Sequence, residues 1–309
     1  MYDDHFYPQH FWRNGMMSGD LTDPLESSTS TDRGDLPRVW TVFTAVLVSL
    51  LIATVLQVIL TIVLVAIELA NGVTPEQLGP KLTERLTEPP FFLSMLVLGQ
   101  LGFGLTALLC VWKSPTPWRE RISWSTPKPS RSIYWLAAIG TIFPTVVGLT
   151  AAVAASDFLP ADASFESLFS KLTIPTAIAF VILIGVLPGL FEEVLFRGYM
   201  QQRLVQRWGA VTGITVTSIV FALVHIMPLN IIAVIPIGFW LGYIAWRSQS
   251  ILPTIAAHFF INSGINLWRM IVKFGEIPTA VQWWVHGGFA VVGFVCFVIC
   301  FRSSYWSPP

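Results

Sequence analysis

Apolar runs long enough to cross a bilayer recur along nearly the whole chain, and no other feature limits its fold as strongly. A helix needs about 20 such residues to span the hydrocarbon core. At that depth every backbone polar group must be satisfied internally, which for runs of this length selects helices. The runs are Val39 to about Ala70, Phe91 to Trp112, about Ile133 to Ala154, Thr176 onward, about Gly209 to Ile226, about Leu229 to Trp246, about Ile251 to Trp268 and about Val281 to Phe301. The expected fold is all-α: a polytopic membrane helix bundle with about eight transmembrane helices. Composition agrees, with 54% hydrophobic and 12% charged residues among 309, where soluble domains carry about a quarter charged.

Between these runs the chain divides into three parts. Residues 1–38 are polar, carry His5 and His10 and lack an apolar signal core, so they read as a disordered cytoplasmic tail. Residues 39–132 read as a transmembrane hairpin followed by a basic connector, and 133–308 as the main bundle. NGVTPEQLGPKLTERLTEPP reads as a polar loop. Phe165, Leu168, Phe169 and Leu172 recur at helical spacing and suit either a helix lying in the membrane interface or one packed on the protein.

Charge sets orientation and excludes one class of partner. The net charge is zero, so nucleic acid is not an expected partner, whereas membrane lipids are. Lys113, Arg119, Arg121, Lys128 and Arg131 follow the second run, Arg203 and Arg207 the fourth, and Arg247 the sixth. The loop after the third run is acidic, with Asp157, Asp162 and Glu166. This alternation places a multi-pass protein in the cell membrane with both termini cytoplasmic. Lys81, Arg85, Arg269 and Lys273 run against it. Cys110, Cys296 and Cys300 all lie in apolar runs and read as packing residues.

Ionisable groups inside the spans are few, and such groups are functional candidates by default. GVLPGLFEEVLFRGYMQQR carries Glu192, Glu193 and Arg197; FALVHIMP carries His225; HFFINSG carries His258 and Asn262. Glu68, near the end of the first run, reads as an interfacial residue, and His286 as packing. If the fourth helix continues to Arg207, Glu192 lies about 22 Å from its end and His225 about 24 Å along the returning helix, at similar depth. His258 and Asn262, four apart, share a face about 10 and 16 Å into the seventh helix. Glu193 and Arg197 stand in the favourable order for an i,i+4 ion pair. Glu192 points about 100° away and stays free. Phe221, one turn before His225, reads as pocket wall.

A glutamate with a histidine can activate water as a general base. A histidine with an asparagine can donate to a developing oxyanion. Together the pairs describe amide hydrolysis in a water-filled cavity opening toward the cytoplasm. Glu192, His225 and His258 would equally serve as a three-ligand zinc site, though no HExxH spacing selects the metal. The residues alone leave both open.

EEVLFR, FALVH and HFFIN, in this order and each on a hydrophobic span, resemble the three motifs of the CPBP family, the CAAX-protease and bacteriocin-processing intramembrane proteases also termed Rce1-like or Abi. The resemblance covers about 176–268. It implies that Glu192 is the water-activating base, that His225 works with it, and that His258 and Asn262 serve the oxyanion. Glu193 and Arg197 take structural roles. It also implies a glutamate-dependent mechanism with no cofactor, zinc remaining the alternative, and a peptide or protein substrate, membrane-anchored or not. Two other classes stay open: a non-catalytic scaffold or bacteriocin-immunity protein, and a proton-coupled transporter. The transporter lacks a visible inverted repeat.

Overall fold

The computed structural model describes residues 37–114, 116–125, 132–160 and 163–302. Most of the tail expected over 1–38, with His5 and His10, lies outside the described residues, as do Lys128, Arg131 and Asp162. The described chain is helical throughout, with no strand among the described residues.

In chain order, α1 (Trp40–Ala70) leads through α2 (Pro75–Leu86) to α3 (Pro89–Trp112), and the short α4 (Trp118–Arg121) follows. The third run divides into α5 (Ser132–Gly140) and α6 (Ile142–Ala155). After α7 (Ala163–Lys171) comes α8 (Ile174–Glu193), which passes through a π-helical segment, Val194–Gln201, into α9 (Gln202–Leu223). The last three are α10 (Pro228–Ser248), α11 (Leu252–Gly275) and α12 (Thr279–Arg302).

Among the described residues six stretches are long and apolar enough to cross a membrane. One of them, Ile174–Leu223, is 50 residues long and folds back on itself at Gly209. There φ is 81°, a left-handed conformation that glycine adopts without a Cβ penalty. A Cβ on Gly213 would lie 2.6 Å from the backbone N of Val205, and the rings of Phe196 and Phe221 meet at 5.2 Å. The stretch is thus two antiparallel passes. α11 has the length of a span, but His258, Asn262, Arg269 and Lys273 dilute its apolar character. These passes account for the eight expected.

Four details of the sequence reading change. The polar loop after α1 contains α2, started by Pro75 and a Thr74–Gln77 capping box. The third span breaks at Thr141, because Pro144 has no N–H to offer the carbonyl of Gly140; Thr141 instead accepts a hydrogen bond from Trp240 Nε1 at 3.0 Å. The amphipathic stretch is a helix packed on the protein: Leu168 and Leu172 of α7 are buried with Phe180 and Met270. The fifth helix ends at Leu223, so His225 lies in the turn beyond it. Pro228 forces Met227 into an extended conformation, φ −67° and ψ 126°, and the helix must stop before it.

Interactions sort the loops onto two ends of the bundle. At one end Arg203 donates to Thr41 (3.0 Å), Gln202 to Ser123, and the Ile251 N–H to the Ser123 carbonyl (3.1 Å). The start of α1 and the end of α12 therefore lie on one side, with Arg119, Arg121, Arg207 and Arg247. At the other end Arg85 pairs with buried Glu68 at 2.7 Å. Lys171 meets Glu88 at 3.3 Å, and Lys273 caps the last carbonyls of α7. Of the cations that ran against the charge alternation, Lys81 pairs with Glu84 at 2.9 Å, Arg85 with Glu68, and Lys273 binds a helix end. Arg269 lies over the ring of Phe169, 5.3 Å away.

Close helix packing fixes the frame around the site. On α6 a Cβ at Gly148 would stand 2.0 Å from the carbonyl oxygen of Ala233 on α10. Gly148→Ala must push the two helices apart and is expected to cost about 1–3 kcal/mol, seen as a lower thermal unfolding midpoint in detergent. An unchanged midpoint would mean that α6 and α10 do not approach this closely. The largest core cluster joins α1 (Val42, Ala45, Val46), α3 (Phe103, Ala107), the π segment (Leu195, Phe196, Tyr199, Met200) and α9 (Leu204, Phe221). The first hairpin is therefore packed into the main bundle.

Candidate active site

Glu192 and Glu193 end α8, side by side in sequence and both buried, yet they have different partners. Glu193 Oε1 accepts from Arg197 Nη1 at 2.8 Å and lies 2.8 Å from Nδ1 of His258. Because the same oxygen accepts from a guanidinium, Glu193 is a carboxylate and His258 Nδ1–H is the donor. That fixes the ring and leaves Nε2 as the nitrogen able to meet a substrate. The expected i,i+4 pair of Glu193 with Arg197 is present, and its two side chains are wholly shielded from solvent.

Arg197 is held on three sides. Besides Glu193, its Nη2 donates to the carbonyl of Gly238 on α10 at 3.2 Å, and its guanidinium carbon sits 4.0 Å from the centre of the Phe221 ring, within cation–π range. One turn on, Gln201 donates to the carbonyl of Gly242 at 2.9 Å. Two polar side chains one turn apart thus grip two glycine carbonyls one turn apart. The helix that presents them is π-helical, a distortion found mostly at functional sites.

Phe221 is the hub of the cluster. His225 stands edge-on to it at 5.3 Å, His258 at 5.9 Å and Phe196 at 5.2 Å. The contact of Phe196 with Phe221 sets the register of the α8–α9 hairpin. The end of α9 also sets the tautomer of His225. Its backbone N–H turns to Ala222 (3.1 Å), which frees the carbonyl of Phe221 to accept from His225 Nδ1 at 3.0 Å. Nε2 is then the acceptor nitrogen of the neutral ring. The next residue, Ile226, has φ 62°, a strained state for a β-branched side chain. Its side chain is 75% exposed.

Asn262 is engaged elsewhere. Its Nδ2 donates to the carbonyl of Ile184 on α8 at 3.2 Å. Pro188, one turn further along α8, has no N–H for that carbonyl, so Asn262 satisfies the group the proline leaves open. Asn262 shares a face with His258 as its spacing predicts, but the structure gives it this helix-joining contact. The alternative ligand set is not assembled either. Among the described residues no three His, Cys, Asp or Glu side chains gather closely enough to hold a metal ion, and Glu192 and His258 face different partners.

One polar neighbour escaped the sequence reading. Gln100, buried on α3, donates from Nε2 to Glu192 Oε1 at 2.7 Å. The signal was a lone amide in the second apolar run, within the glycine-rich GQLGFG. His286, read as packing, accepts from Trp268 Nε1 at 2.8 Å, and Glu68 is buried in its pair with Arg85.

A narrow cavity of about 20 Å³ runs from Arg197 toward the basic end of the bundle, lined by Gln201, Gln202, Ser123, Gln249 and Ser250 among others. That is room for about one water. Arg197 Nε, Gln201 Oε1 and Gln249 Nε2 are buried atoms with no protein partner, and a water there would satisfy them.

Residues 174–264 match the family of type II CAAX prenyl endopeptidases, Rce1-like. This segment contains EEVLFR, FALVH and HFFIN. No curated protein and no solved structure matches the chain.

Proposed function

We propose that the protein is an intramembrane endopeptidase in which Glu192 activates a water. The observation that carries this reading is the division of labour between adjacent carboxylates. Glu193 is consumed by Arg197 and His258. Glu192 receives one neutral amide donor, which leaves acceptor sites on a carboxylate that has about four. The Rce1-like match supports the same class of activity.

In the proposed reaction Glu192 takes a proton from water as its oxygen bonds to the scissile carbonyl carbon. His225, with Nε2 free, orients that water. The carbonyl oxygen becomes an oxyanion, and the Nε2 side of His258, turned away from Glu193, is the group proposed to stabilise it. Asn262 can join only if it leaves Ile184. The tetrahedral centre then collapses, the C–N bond breaks, and the proton on Glu192 passes to the leaving amine. No step passes through a metal, since the residues present do not form a ligand set.

The substrate proposed is a membrane-anchored peptide. Leu223 and Ile226 beside His225 are 55% and 75% exposed, an apolar rim along which a lipidated or membrane-embedded chain could approach. The match to CAAX prenyl endopeptidases makes a prenylated peptide the first probe. The test compares peptides released in membranes carrying the wild type or Glu192→Gln, with and without a chelator. Products must require Glu192 and persist with chelator. Equal products from both proteins overturn the reading. A second reading, a non-catalytic scaffold, draws on the helix-joining contacts of Asn262 and His258, and it predicts that equality.

The cavity is proposed to open to the cytoplasm, as the arginines at that end suggest. With Cys110, Cys296 and Cys300 replaced by Ala, Ser123→Cys and Gln202→Cys should react with a charged thiosulfonate in inverted vesicles and not in sealed right-side-out ones. The opposite pattern reverses the orientation.

A further inference from the structure

Gln100 lies on α3, well outside the segment that matches the Rce1-like family, yet among the described residues it is the hydrogen-bond partner of the Glu192 side chain. We infer that Gln100 is a positioning residue that holds Glu192 in the rotamer from which it meets water, so that the α1–α3 hairpin completes the active site. The inference rests on the reading of Glu192 as the base.

Three observations converge on it. The contact is short, 2.7 Å, and both side chains are buried, where a hydrogen bond to a charged group counts most. The amide has a defined sense: with Nε2 toward a carboxylate oxygen, the reversed amide would set two acceptors against each other. The approach of α3 is also built in. A Cβ on Gly104 would stand 2.9 Å from the ring of Phe191, the residue before Glu192, and one on Gly102 would stand 2.5 Å from the Ser49 carbonyl of α1. Glycines at these two places let α3 press against α8 and α1 together. The other end of the amide, Gln100 Oε1, is buried without a protein partner. It is free to accept from the water that Glu192 deprotonates, so one side chain can fix base and water relative to each other.

The test replaces Gln100 by Met, similar in shape and without donors, in the full-length protein. The probe is an internally quenched peptide carrying a farnesylated cysteine near its C-terminus. Gln100→Met should lower kcat about tenfold to a hundredfold with KM unchanged and only the small fall in thermal midpoint that one lost buried hydrogen bond brings. Glu192→Asp, whose shorter side chain withdraws from the amide, supplies a double-mutant cycle. Adding Gln100→Met to it should change kcat less than threefold. Multiplying losses would mean packing alone and overturn the inference. The infrared difference between wild type and Glu192→Gln isolates the Glu192 carboxylate stretch. That band should shift in the Gln100→Met background, and an unmoved band also overturns the inference, whether or not the probe is cut. If Glu192→Gln cleaves the probe at the wild-type rate, the reading of Glu192 itself fails. If Glu192→Gln is inactive while Gln100→Met keeps full kcat, only the role of Gln100 fails.

Discussion

Glu192→Gln is expected to lower the rate of peptide cleavage by about a hundredfold to ten-thousandfold, the range a positioned general base contributes, while the protein accumulates in membranes as the wild type does. The two halves of this expectation come from the same geometry. Gln has nearly the shape of Glu, so the close packing of α3 on α8 survives, and an amide oxygen can still accept from Gln100. The amide has no useful basicity, so the proton of the attacking water has nowhere to go. Glu193 cannot take over. Its Oε1 is shared by Arg197 and His258, and its side chain is fully buried. His225→Ala should fall short of this loss, since that histidine orients the water without being the proton acceptor. Initial rates on membranes with matched protein amounts give the result. A Glu192→Gln protein within a few-fold of wild type would remove Glu192 from the reaction.

Apart from α11, which has the length of a span but not its apolar character, the passes were legible in apolar length, and even the return of α9 was announced by Gly209. The pairing of Glu193 with Arg197 was legible because i,i+4 geometry is local. What spacing could not supply was the third partner from another helix. His258 shares a face with Asn262, and that much is periodicity. That His258 turns to Glu193 while Asn262 turns to the carbonyl stranded by Pro188 depends on how α11 lies against α8. Gln100 was missed for the same reason, since its meaning comes from a helix docked from 92 residues away. The position of His225 beyond the end of α9 could have been read from Pro228, whose demand on Met227 is local. In FALVHIMP the hydropathy continues past the point where the backbone cannot.

Arg197→Met should cause the largest loss of stability of any single change at this site, about 3–5 kcal/mol. It strands the Glu193 carboxylate in a buried site, removes the donor to the Gly238 carbonyl and uncovers the face of Phe221. Folded domains are typically stable by about 5–15 kcal/mol, so a protein near the low end would fail to accumulate. Lysine should not rescue it, because one ammonium cannot reach Glu193 and Gly238 together as the guanidinium fork does. The informative variant is the double replacement Glu193→Gln with Arg197→Met. It removes both charges, keeps an acceptor for His258 Nδ1–H, and should recover most of the lost stability, as neutral replacements of buried ion pairs commonly do. Its activity should stay low. A neutral amide holds His258 by a weaker hydrogen bond than the carboxylate does, so the ring is aimed less firmly at an oxyanion. Thermal midpoints in detergent and cleavage rates on the same samples separate the two roles. If stability and activity return together, the charge on Glu193 serves the fold alone, and His258 acts without it.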